Sequence, residues 1–156
     1  MTQYAPVRPL QNAVLCQVGM VVKNADRIAA KLSHITGLDV PATILTEDYE
    51  KAHTQFRGNP SNAKAKLIIF NLGQVSIEII EPIGGPSTWR EFLDKRGEGV
   101  HHIAFTVGDA FRTAESLTQM EIQPVQSGDF DGGKYIYMES EKALGVIVEL
   151  LEFDSH

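Results

Sequence analysis

Two stretches of this 156-residue chain are near copies of each other. Gln17-Val18-Gly19-Met20-Val21-Val22 reads against His102-Ile103-Ala104-Phe105-Thr106-Val107 at an offset of 85 residues. Ile77-Glu78-Ile79-Ile80-Glu81 reads against Val148-Glu149-Leu150-Leu151-Glu152 at an offset of 71. Duplication constrains architecture before any local propensity does, because one supersecondary unit used twice must bury its apolar face against its own copy. It also places one ligand-type residue near the start of each half and one glutamate near its end.

The pattern between these landmarks is the same in both halves. Ala13 to Val22 is apolar and β-branched, which predicts a strand. Asn24 or Asp26 can cap the helix that follows, with Ile28, Leu32 and Ile35 on its apolar face and Gly37 at its end. Val40 to Leu45 predicts a short strand, and the polar Thr46 to Asn62 a long loop with room for a helical turn. Lys66 to Leu72 and Val75 to Glu81 predict a hairpin about Gly73-Gln74. Pro82 to Pro86 breaks the chain, and Ser87 caps a short helix reaching Arg96. The second half then gives a strand over Val100 to Val107 and a helix capped by Asp109, with Ala110, Ala114 and Leu117 inward. A strand over Ile122 to Val125, a glycine-rich loop from Ser127 to Gly133, and strands over Lys134 to Glu139 and Val146 to Phe153 complete it. Ala25, Arg27, Ala29 and Leu32 match Ala110, Arg112, Ala114 and Leu117. The division is an N-terminal arm over 1–11, a first βαβββ module over 12–86, a linker helix over 87–98 and a second βαβββ module over 99–156. The fold class expected is α+β.

Side chains alternate faces along a strand. Gln17 and Gly19 therefore share one face of the first strand, and His102 and Ala104 share one face of its copy. The Ile103 face of that copy should pack on helices, which turns the His102 face into a concavity. Glu78 and Glu149 stand in runs that are otherwise apolar. A lone ionised carboxylate there costs several kcal/mol unless it is paired or meets a cation. Taken singly, each residue has an ordinary explanation: a hydrogen-bonded core histidine, or a glutamate on a solvent-facing strand. The coincidence at equivalent positions favours a shared site of Gln17, Glu78, His102 and Glu149. One nitrogen and three oxygens suit one divalent ion: zinc, cobalt, nickel, manganese or iron(II). His34, His53 and His156 have no such company and are expected at the surface. Tyr135, Tyr137 and Trp89 are expected in packing.

Composition closes off other classes. A net charge of −6, with no basic run, argues against a nucleic-acid partner. No apolar run nears the roughly 18 residues that cross a bilayer, so no membrane partner is expected. Met1 to Gln11 carries Pro6 and Pro9 and no apolar core, and is expected to be an extended arm rather than a leader peptide. Cys16 is the one cysteine, so no internal disulfide forms, which suits a cytoplasmic location. It reads as a small core residue.

The residues Phe70-Asn71-Leu72-Gly73, Ile77 to Pro82, Gly97-Glu98-Gly99-Val100-His101-His102-Ile103-Ala104-Phe105 and Gly145 to Leu150 resemble the vicinal oxygen chelate superfamily, also called the glyoxalase/bleomycin-resistance/dioxygenase fold. The likeness covers nearly the whole chain after Gln11 and is nearest to methylmalonyl-CoA epimerases and glyoxalase-like proteins. It implies paired βαβββ modules forming a cupped mixed sheet around a divalent metal, held by Gln17, Glu78, His102 and Glu149. The epimerases have histidine where Gln17 stands. The set Gln, Glu, His, Glu resembles that of one class of glyoxalase I.

The resemblance implies proton abstraction beside a carbonyl, with the metal as Lewis acid and a carboxylate as base. Glu149, with Glu78 on the other side, is the expected ligand and base. The first reading is an epimerase or isomerase acting on a small carbonyl or acyl-CoA thioester. A glyoxalase-I-like lactoylglutathione lyase is the second. The third is a metal-free protein that sequesters a small molecule. An extradiol dioxygenase is disfavoured, because its iron wants two histidines and one carboxylate. A homodimer is expected, to cover open sheet edges. If a coenzyme A tail binds, Lys134, Arg57 or Lys64 could meet its phosphates, although a solvated loop charge is the better explanation of each.

Overall fold

The duplicated runs lie side by side. In the computed structural model, which describes residues 6–155, β1 (Val14–Val21) pairs antiparallel with β7 (Gly99–Thr106). The pairing is symmetric about its own centre: Gln17 is registered with Ala104, and Gly19 with His102. On one flank β1 runs parallel to β6 (Ser76–Ile83), with Gly19 beside Glu78. On the other, β7 runs parallel to β10 (Ile147–Phe153), with Ala104 beside Glu149. The antiparallel partners β5 (Lys64–Asn71) and β9 (Gly133–Met138) follow outward, and then β2 (Ile44–Leu45) and β8 (Pro124–Phe130). The two halves thus repeat one strand order about the β1–β7 junction, as the duplication requires, and the sheet is the cupped mixed sheet of the expected α+β class.

The helices follow from the same logic. α1 (Ala25–Thr36) begins at Asn24, whose side chain accepts from the Arg27 N–H at 2.9 Å, and ends at Gly37 in the left-handed conformation. α4 (Ala110–Thr118) begins at Asp109, which accepts from the Arg112 N–H at the same distance. Both pack on the outer face. Ala25 and Ala29 lie against Ile68, Phe70 and Ile79, while Ala110, Ala114 and Leu117 lie against Ile136, Val148 and Leu150. Burying a branched apolar side chain in such a layer contributes roughly 1.5–3 kcal/mol. The linker helix α3 (Thr88–Arg96), capped by Ser87, sits on the inner face and drives Trp89 among Val21, Ala65, Ile80, Tyr137 and Ile147.

Several expectations need correcting. Ile35 is 71% exposed, because the helix buries its narrower alanine stripe and tilts the Ile35 side toward water. The strand expected over Val40 to Leu45 is only two residues long. Thr46 to Asn62 has the helical turn it had room for, but it is not otherwise a plain loop. It forms α2 (Tyr49–Ala52) and a miniature hairpin, β3 (Gln55–Phe56) with β4 (Asn59–Pro60), whose strand β3 adds to β8 at the far end of the sheet. This segment is a strap joining both ends of the cup. The glycine-rich loop expected over Ser127 to Gly133 is strand as far as Phe130. Gly128 is there because the Tyr135 side chain crowds it, and a β-carbon would come within 2.7 Å of that ring. A short helix α5 (Glu141–Leu144) precedes β10. Of the expected extended arm, Met1 to Ala5 lie outside the described residues, as does His156. Arg8 to Ala13 makes two successive turns instead, with Leu10 packed under α4.

Candidate functional site

Each of the four central strands carries one candidate ligand, and the structure brings all four together at the junction of the halves. His102 on β7 has no exposed surface, and Gln17 on β1, Glu78 on β6 and Glu149 on β10 are all buried. Their polar atoms converge on His102 Nε2. Glu149 Oε2 is 3.0 Å from it, Gln17 Oε1 3.5 Å and Glu78 Oε1 3.8 Å. Gln17 is held in this orientation by Ser76, to whose hydroxyl its amide Nε2 donates at 3.4 Å. Small residues make the room: Gly19 lies opposite the imidazole and Ala104 is its copy in the other half.

The arrangement is electrostatically unsatisfied. Glu149 Oε2 is buried and lies against His102 Nε2 as an ion pair, off the line of a well-formed hydrogen bond. Burial, and then the charge of Glu149, push Glu78 up to about 7, with His102 opposing. Burial would lower the His102 imidazolium, but Glu149 and Glu78 outweigh it and leave the group raised. Two buried carboxylates beside one imidazole are short of positive charge.

The donor set suits a divalent ion. Ligands bound to one ion at about 2.0–2.2 Å stand about 3–3.5 Å from each other, and Gln17 and Glu149 already have that spacing from His102 Nε2. Glu78 lies a few tenths of an ångström outside it. Accordingly, no three His, Cys, Asp or Glu side chains among the described residues form a closed ligand set as they stand.

Residues beside the site were missed by alternation. His101 is also buried, its Nδ1 lying 3.0 Å from His102 Nδ1 and its Nε2 3.1 Å from Thr88 Oγ1. The cause is a β-bulge: His101 has no partner across β1, so two successive imidazoles turn inward while Val100 turns out. Cys16 is the matching extra residue in β1, one residue before Gln17 as His101 is one before His102. Tyr137 is registered with Glu149, stacks beside His102, and accepts from Trp89 Nε1 at 3.1 Å. Burial, then the charges of Glu149 and Glu78, hold its hydroxyl far above its ordinary range, so it stays protonated. The available signal was an adjacent polar pair, His101-His102, inside an apolar strand.

The cations offered for a phosphate are otherwise engaged. Arg57 pairs with Glu91 at 2.7 Å, Lys64 with Asp48 at 2.9 Å, and Lys134 lies over the Phe111 ring. A cleft of about 830 Å³ opens between α3, α5 and β8. None of the four converging side chains lines it.

Comparison with known proteins agrees with this architecture. A hypothetical protein of Bacillus halodurans superposes with a TM-score of 0.69 at 20% identity, over 94% of this chain and 98% of that one. A methylmalonyl-CoA epimerase of Mycobacterium tuberculosis superposes with a TM-score of 0.63 at 19% identity, over 91% and 89%. The uncharacterized protein YqjC of Bacillus subtilis is 33% identical over a 94-residue alignment that covers 57% of this chain and 66% of that protein, just under two thirds of its length. The family model for the glyoxalase/bleomycin resistance protein/dioxygenase superfamily matches residues 16–138. With that match across most of its length and the paired-module sheet beneath it, the chain belongs to the glyoxalase/bleomycin resistance protein/dioxygenase superfamily.

Proposed function

We propose that this protein holds one divalent cation through Gln17, Glu78, His102 and Glu149 and moves a proton on a carbon beside a carbonyl, as an epimerase or isomerase of a small acyl-CoA thioester or related carbonyl compound. The observation that carries the reading is the convergence of three side-chain oxygens on His102 Nε2 in a buried place. Superposition on methylmalonyl-CoA epimerases at about a fifth sequence identity supports the substrate class only as far as the shared fold does.

The cation, when bound, supplies Lewis-acid stabilisation of the negative charge that develops on the carbonyl oxygen. The chain's own residues do the rest. Glu149 takes the α-proton: the C–H bond breaks, its electron pair moves toward the carbonyl, and the proton rests on the carboxylate. Glu78 stands on the other side of His102 and returns a proton to the opposite face. Tyr137 and Trp89 close the inner side with aromatic surface, which keeps water from the carboxylates.

The test is α-proton exchange. Incubated with methylmalonyl-CoA and a divalent cation in deuterated water, the wild-type protein is expected to incorporate deuterium at the α-carbon. Glu149→Gln is expected to be slower by about 10²–10⁴-fold while still holding the cation. Near wild-type exchange by a cation-loaded Glu149→Gln protein would overturn the role of Glu149. Gln17 in place of histidine favours a second reading, a glyoxalase-I-like lyase. Formation of lactoylglutathione from the glutathione hemithioacetal, without exchange on the thioester, would select that reading.

A further inference from the structure

The bulge at His101 places a second imidazole where it faces His102 nitrogen to nitrogen. The two Nδ1 atoms are 3.0 Å apart, a distance that requires one proton between them: two lone pairs repel, and two N–H groups collide. The far nitrogen of His101 lies 3.1 Å from the Thr88 hydroxyl, which can donate or accept. His101 and Thr88 are both buried, and His101 is boxed edge-on by Phe92 and Tyr137. Water therefore does not compete for these atoms, and the chain of hydrogen bonds has two directions. In one, His102 keeps its proton on Nε2, against the oxygens of Glu149, Gln17 and Glu78. In the other, it keeps its proton on Nδ1, donates to His101 Nδ1, and His101 Nε2–H donates to Thr88.

We propose that His101 is a positioning residue, accepting the Nδ1 proton of His102 so that His102 Nε2 turns its lone pair to the three converging oxygens, with Thr88 as the reversible end of the chain. This rests on the reading of those oxygens and Nε2 as a cation site. A metal-ligating histidine needs its other ring nitrogen held by an acceptor, which fixes both tautomer and ring orientation. Most sites use a carboxylate or a backbone carbonyl for this. Here the acceptor is a neutral ring, so no third negative charge is added to a buried place that already holds two. The arrangement also ties His102 to the first turn of the linker helix. Thr88 is the first residue of α3, and its backbone N–H donates at 2.8 Å to Gln126 Oε1 on β8.

Two variants separate this role from simple packing. His101→Phe keeps an aromatic ring in the aromatic box but removes the acceptor. His101→Asn places a side-chain oxygen near the position of Nδ1 and keeps it. With zinc ion alone as probe, chelator competition is expected to show a 10–100-fold loss of affinity in His101→Phe and recovery of most of it in His101→Asn. Nitrogen-15 spectra of the zinc-loaded wild-type protein are expected to show the His102 proton on Nδ1, with Nε2 bound to the ion. That second readout needs no variant, so it stands even if His101→Phe does not fold. Zinc bound with the His102 proton on Nε2, or bound as tightly by His101→Phe as by the wild type, overturns the role of His101 and leaves the cation site intact. Failure of the wild-type protein to bind zinc overturns both.

Discussion

Gly19 and His102 face each other across the β1–β7 pair, and a β-carbon on residue 19 would come within 2.0 Å of the His102 imidazole. Nothing about the Gly19 backbone requires glycine; the ring requires it. Gly19→Ala must therefore push His102 from its place. The expected result is a loss of about 1–3 kcal/mol in urea unfolding, as for overpacked cores, together with at least tenfold weaker cation binding. Ala104→Gly, at the matching position in the other half, is expected to leave His102 alone. Unchanged cation affinity in Gly19→Ala would show that the imidazole has other room.

Glu78 makes the cation-free protein pH-sensitive. Its carboxyl is pushed up to about 7 from an ordinary value of 4.5, so the fold favours the protonated form. That contribution to stability is complete below pH 4.5, fades as the pH rises, and is gone above about 7. Glu78→Gln cannot ionise and lacks the dependence. Without cation, the melting temperature of Glu78→Gln relative to wild type is expected to rise between pH 5 and pH 8, by the equivalent of about 1–3 kcal/mol. Saturating divalent cation is expected to abolish the difference in slope. Parallel pH profiles for the two cation-free proteins would contradict the burial of an ionisable Glu78.

Glu81 and Glu152, the second glutamates of the duplicated runs, do one job twice. Glu81 Oε2 accepts from the Ala25 N–H, and Glu152 Oε2 from the Ala110 N–H, each at 2.8 Å. Each carboxylate satisfies an orphan donor at the positive end of a helix. Glu81→Ala and Glu152→Ala are each expected to cost about 1–2 kcal/mol in urea unfolding. The double variant should show the sum to within about 0.5 kcal/mol, because the sites share no partner. A cost below about 0.3 kcal/mol for either would mean that water replaces the carboxylate without loss.

These glutamates also mark where the sequence stopped being legible. The repeat offsets were enough to bring Gln17, Glu78, His102 and Glu149 to one place, because strand register carries equivalent residues to equivalent positions. The offsets paired Glu81 with Glu152 but said nothing of their task, since the partner of each is a backbone N–H with no sequence signature. Strict alternation failed at His101 for a different reason. A bulge breaks the period of two, and only the pairing across β1 reveals the extra residue. The strap over Thr46 to Asn62 escaped because its strands have two residues each, too few to show a period. Ser127 to Phe130 was misread because Gly128, taken as a loop breaker, is a seat for the Tyr135 ring.

The central claim is that two carboxylates, one imidazole and one amide surround a single ion. A crystal structure of protein purified without chelator, with anomalous scattering recorded at the absorption edges of zinc, nickel, cobalt, manganese and iron, tests it most directly. The expected result is one anomalous peak about 2.0–2.3 Å from His102 Nε2 and from oxygens of Glu78, Glu149 and Gln17. A divalent ion bound elsewhere, with these four side chains keeping their mutual contacts and excluding it, would contradict the account.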